Sequence, residues 1–132
     1  MTTQSNPPEI TLEASVTLAT YQFHIMTLDT NGRVKLAVDA DDPVMGMLGI
    51  LQNKPTAIGQ GATIRISGVA KVMGGDTVAP GIWVTTDASG HAVACADNDN
   101  TLGITLESMA SGKVSRVLLA QRPGYKTPDN TP

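Results

Sequence analysis

The chain has 132 residues, 41% of them hydrophobic and 16% charged, with a formal net charge of −3. That is one domain's length, enough to bury roughly two thirds of the surface its unfolded form exposes, and with Lys and Arg scattered singly it offers no basic track for a nucleic acid backbone. No apolar run approaches the ~20 residues that cross a bilayer, the opening "MTTQSNPPEI" has neither the basic nor the apolar region of a secretory signal, and Cys95, alone, cannot form an intrachain disulfide and is read as a small packing residue.

Glycines (13) and prolines (8) divide the chain into short stretches rich in Val, Ile and Thr, which predicts strands. The first is "EITLEASVTL", residues 9–18. There Ile10, Leu12, Ala14, Val16 and Leu18 alternate with Glu9, Thr11, Glu13, Ser15 and Thr17, a period of two with one apolar face. A second strand is expected over 22–28, then a hairpin turn at "DTNG" and a strand carrying Val34, Leu36 and Val38. Residues 46–51 follow, and then a stretch in which Ile64, Ile66, Ala70 and Val72 share a face opposite Thr63, Arg65, Ser67 and Lys71. Further strands are predicted over 82–86, 92–96, 102–107 and 114–120. Propensities are mixed over 15–20 and 107–111, which fit turns or single helical turns; no long helix is predicted.

A shift of fifty-eight residues lays Asp29-Thr30-Asn31-Gly32 on Asp87-Ala88-Ser89-Gly90. An acidic loop follows each copy, "DADDP" at 39–43 and "DNDN" at 97–100. A Gly-led apolar strand comes next, "GILQ" from Gly49 and "GITLE" from Gly103, and after a loop of small residues another, "GATIRIS" from Gly61 and "GKVSRVLL" from Gly112. Features recurring in one order divide a single β domain, 14–120, into pseudo-repeats 14–70 and 72–120, flanked by an N-terminal arm (1–13) and a C-terminal tail (121–132). Four short strands cannot bury both their faces, so such a unit needs a twin to close a core. The expected fold class is all-β, a compact barrel-like or sandwich-like domain.

Chemistry is sparse. His24 and His91 are far apart in sequence and read as surface or hydrogen-bonded histidines, with nothing of metal-ligand spacing beside them. Asp39, Asp41, Asp42, Asp97 and Asp99 could suggest calcium, but an EF-hand loop from Asp97 would need Gly at Leu102 and Glu at Ser108. Solvated Asx turns account for these acids. There is no nucleophile elbow, phosphate loop or dinucleotide fingerprint. No enzyme, cofactor, metal or small-molecule substrate is expected, and no catalytic residue is assigned. Aromatic residues, Tyr21, Phe23, Trp83 and Tyr125, make up 3% of the chain, too few for a stacking platform. Trp83 falls on Ile25 under the same shift and reads as a core or subunit contact. Met45, Met47, Met73 and Met109 fill gaps either at a contact surface or in the core.

The pattern Gly-apolar-x-Leu, a loop of small residues, then Gly-x-x-x-x-Val-x-Leu resembles the capsid decoration, or cement, proteins of tailed bacteriophages. It is carried by "LGITLESMASGKVSRVLLA", "MLGILQNKPTAIGQGATIRISGVAKV" and the hairpin of "GDTVAPGIWVTTDASGHAV", and it covers about residues 12–120. The resemblance implies a β-tulip or barrel fold. It also implies attachment to the major capsid protein on the outer surface of the virion head, after synthesis in the host cytoplasm. The implied form is a homotrimer at threefold sites that stiffens the shell. The competing reading is an adhesive or ligand-binding β module of a phage tail or cell surface, which would call for pocket residues that are missing.

Pro7-Pro8 stiffens the entry to the first strand. The entropy of ordering nine residues roughly cancels the burial of Ile10, Leu12, Val16 and Leu18. Glu9, Ile10, Thr11, Leu12 and Glu13 are therefore candidate contact residues, an arm that adds a strand to a neighbour or to the shell; Trp83 is the sixth candidate. The other reading of this segment is an ordinary first strand paired inside its own domain.

Overall fold

A computed structural model describes residues 9–37, 47–96 and 100–122, and every regular element among them is a β-strand. In chain order these are β1 (Glu9–Glu13), β2 (Ile25–Leu28), β3 (Val34–Leu36), β4 (Gly49–Leu51), β5 (Gly61–Arg65), β6 (Gly68–Met73), β7 (Trp83–Thr86), β8 (Ala92–Ala94), β9 (Thr101–Thr105) and β10 (Val114–Arg122). They form two five-stranded antiparallel sheets, β1-β5-β4-β2-β3 and β6-β10-β9-β7-β8, packed as a sandwich. The fold is all-β, the class the alternation predicts.

The second sheet repeats the strand order of the first, five strands on, and the registers correspond as well. Ile25 pairs with Ile50 and Ile50 with Arg65; Trp83 pairs with Ile104 and Ile104 with Leu118. At one edge Glu9 pairs with Arg65 as Val69 pairs with Leu118. At the other, the amide of Ala37 donates to the Ile25 carbonyl at 2.9 Å and that of Cys95 to the Trp83 carbonyl at 3.0 Å. Two isolated parallel bridges correspond as well, Ala14 with Val34 and Gly74 with Ala92.

The Asp-x-x-Gly turns are built alike. The Asp29 carboxylate accepts the amides of Asn31 and Arg33, each at 2.9 Å, and that of Asp87 accepts those of Ser89 and His91 at 2.8 and 2.9 Å. Gly32 and Gly90 take φ of 77° and 75°, a left-handed conformation in which a Cβ is strained.

Two expectations from the alternation and one from the repeat are corrected. The first strand ends at Glu13 rather than continuing to Leu18, because the backbone of Ala14 and Ser15 bonds across to Gln60 and Val34 and turns the chain. Leu18 still reaches the core, but Val16 is 49% exposed. Ile64 and Ile66 do not share a sheet face with Ala70 and Val72, because Gly68 at φ 78° separates β5 from β6 and sends them to different sheets. Gly112 corresponds to Gly59, not Gly61: both are left-handed, donating to the carbonyls of Gly74 and Ala14. The strands of the two sheets span 9–65 and 68–122. The arm's residues 9–13 are β1, paired with β5 in their own sheet; residues 1–8 and 123–132 lie outside the described residues.

Two cores result. Between the sheets lie Ile25, Ile50 and Met47 from the first half against Val72, Val84, Leu102, Met109 and Val117 from the second. On the far face of the first sheet, Leu18 from the β1–β2 loop caps Met26, Val34, Leu51 and Ile64. The first sheet is thus covered on one face by the second sheet and capped at the centre of the other by its own loop, with Ile10, Leu12, Leu28 and Leu36 only partly buried around that cap.

Candidate docking surface

The six candidate contact residues fall on two different sheets. Glu9–Glu13 is an edge strand whose odd positions carry ion pairs: Glu9 with Arg65 and Glu13 with Arg33, both at 3.3 Å. Such exposed pairs contribute little, about 0–1 kcal/mol. Ile10 and Leu12 point the other way and pack, partly buried, against the core under Leu18. Trp83, half-buried, opens β7 in the second sheet. Within one chain the arm and Trp83 are not brought together.

Around Trp83 the second sheet shows an apolar outer face that single-strand alternation did not reveal. Residues paired across antiparallel strands share a face, so Val69, Leu118, Ile104 and Trp83 form one row across β6, β10, β9 and β7. Val69 is 47% and Leu118 41% exposed, whereas their neighbours Ala70 and Val117 turn inward and are buried. Leu106 and Val114, also exposed, lie alongside. A signal for this face exists in the sequence: the contiguous Val117-Leu118-Leu119-Ala120 puts apolar residues on both sides of β10.

One end of the row opens into a cleft of about 380 Å³. Phe23, Gln52, Arg65, Val69, Lys71 and Arg116 line it. Arg116 is held by Glu107 at 3.1 Å, whose carboxyl lies below its ordinary range because it accepts the Arg116 amide and guanidinium. Phe23 is left-handed at φ 68°, a conformation costly for a bulky residue. It allows the Phe23 amide to donate to Leu51 in β4 while its carbonyl accepts from Met73 in β6, tying the two sheets together.

The fold also unites what the sequence separates. His24, buried beside the 4.7 Å-distant ring of His91, makes an edge contact with Tyr21 at 5.3 Å and a 3.1 Å bond from Nδ1 to the Gln22 carbonyl oxygen. Its pKa is lowered, chiefly by burial and further by His91. His91 in turn lies 3.5 Å from Asp87. Among the described residues no group of three His, Cys, Asp or Glu side chains is placed to hold a metal. The acidic positions 39, 41, 42, 97 and 99, and Met45, lie outside the described residues; Met47 and Met109 are core, and Met73 is half-buried.

The described residues thus form a double-layer β body with an apolar outer face. In comparison with known families, the model of the phage cement proteins matches residues 21–121. The chain belongs to the phage cement protein family. This cement protein also shares its fold with a solved structure, the gp8.5 head fiber N base of bacteriophage phi29, with a TM-score of 0.63 at 16% identity over 90% of this chain and 98% of that one. No curated protein sequence matches it. It is a structural protein associated with the phage head.

Proposed function

We propose that this cement protein decorates the outer surface of an icosahedral phage head, contacting the major capsid protein as homotrimers at threefold positions and stiffening the shell. The observation that carries the reading is the cement-family match across nearly the whole sandwich, 21–121. The fold it shares with a head fiber base supports the same placement. The contact residues proposed are Glu9–Glu13 and Trp83. Many copies, each engaging several neighbours, turn modest contacts into tight attachment, because every contact after the first is intramolecular.

The two sheets are proposed to be a duplicated unit, on the strength of their matching order and register. Heating undecorated heads with and without the protein tests the proposed role. Decorated heads are expected to retain their DNA to a higher temperature; release at the same temperature, with the protein bound, would remove the stiffening role.

A further inference from the structure

The two sheets pack head to tail rather than as mirror images. The first presents its Ile25–Ile50 face to the second. The second receives it with the face of Val84 and Val117, and these are the counterparts of Met26 and Ile64 on the opposite face of the first sheet. One surface of each kind is therefore left over. On the second sheet it is the Trp83–Ile104–Leu118 row, whose counterparts Ile25 and Ile50 are fully buried. On the first sheet it is the Met26–Ile64 face, where Ile10, Leu12, Leu28 and Leu36 rim the Leu18 core and are only partly buried.

We propose that these two surfaces are the interface between copies of this chain. The Trp83 face of one subunit covers the Ile10–Leu12 face of the next, continuing between subunits the packing that joins the sheets within one. The occupant is a second copy because each surface is the counterpart of one that already packs against the counterpart of the other. A contact between unlike surfaces closes only as a ring of three or more, or runs on as a filament; a twofold dimer would use one surface twice. The inference deepens the self-association in the reading above by naming the faces, and it is tested without heads.

Trp83 is the chain's sole tryptophan, so its fluorescence reports on this face alone. The full-length chain is expected to scatter as three or more units of 13.7 kDa, with emission moving to shorter wavelength as concentration rises. Leu118→Glu and Val69→Lys, both at exposed positions, should each weaken assembly at least tenfold and return the emission to that of exposed indole. Circular dichroism checks that each variant is folded. Leu118→Glu keeps its Ile10–Leu12 face and Leu12→Glu keeps its Trp83 face, so a mixture of the two should form one-to-one pairs that neither forms alone.

Assembly that survives both Leu118→Glu and Val69→Lys, or a wild-type dimer, would overturn the inference. So would a chain that stays monomeric in solution yet binds heads, which assigns the Trp83 face to the shell and leaves the decorating role standing. A chain that assembles as described but binds no head would contradict the proposed function and leave this interface intact.

Discussion

Ser115 sits 6% exposed on the inner face of β10, and its hydroxyl has no hydrogen-bond partner among the described residues. Its counterpart in the first sheet is Ala62, fully buried. A buried unsatisfied hydroxyl costs about 1–3 kcal/mol, so Ser115→Ala should raise stability by roughly 1 kcal/mol in urea unfolding; a loss of that size would show the hydroxyl to be satisfied. His24 gives a prediction of opposite sign with acid. The groups facing it are Tyr21, His91 and, beyond His91, Asp87. Burial, then His91, lowers its folded pKa, so below the ordinary value near 6.5 the unfolded chain takes up a proton that the folded one resists. Stability is full above that value and falls as pH drops through it. The melting temperature should fall between about pH 7.5 and pH 5.5, and His24→Asn should flatten the slope. A second loss belongs to lower pH: the Asp29 carboxyl, held below the usual carboxylate range chiefly by the Arg33 amide, contributes stability that disappears as it is protonated.

The elements show how far strand-level patterns reach. A Cβ on Gly103 would meet the Leu118 carbonyl, and one on Gly49 the Arg65 carbonyl, at corresponding points of β9 and β4. Backbone, unlike a side-chain tip, cannot step aside, so Gly103→Ala should destabilise by about 1–3 kcal/mol, measured by chemical denaturation; an unchanged midpoint would mean the strands separate at little cost. These glycines, the Asp-x-x-Gly turns and most strand positions were legible, since each is dictated by residues within a few places of itself. What alternation missed is long-range. Period two cannot tell that β5 and β6 belong to different sheets, nor that Ile25 is buried while Trp83, its counterpart, lies half-exposed, because only the stacking of the two sheets decides it. The β1 strand is the same lesson: its composition suits an arm, yet its register with β5 places Ile10 and Leu12 on the first sheet's core. Removing residues 1–13 should consequently lower the melting temperature by several degrees in calorimetry, and an unchanged melting temperature would show that β1 adds nothing to the fold.

At the scale of the whole molecule, one stacking rule used twice accounts for the shape and the proposed role. The first sheet shelters the second on one side, and the outer face of the second carries the apolar row that the first hides. The sparse charge and the absence of a motif for chemistry pointed toward a structural role in the sequence, and the family match gives that role its setting on a phage capsid. Of the proposed docking face only Trp83 and Ile10–Leu12 were singled out in the sequence, and not Val69, Ile104 or Leu118, because a surface assembled from four strands has no sequence period. The most direct measurement is the copy number bound when purified protein is mixed in excess with undecorated heads of its own phage. The account predicts saturation at three copies per threefold site on the outer surface. No binding to those heads, or binding without relation to the lattice, would contradict it.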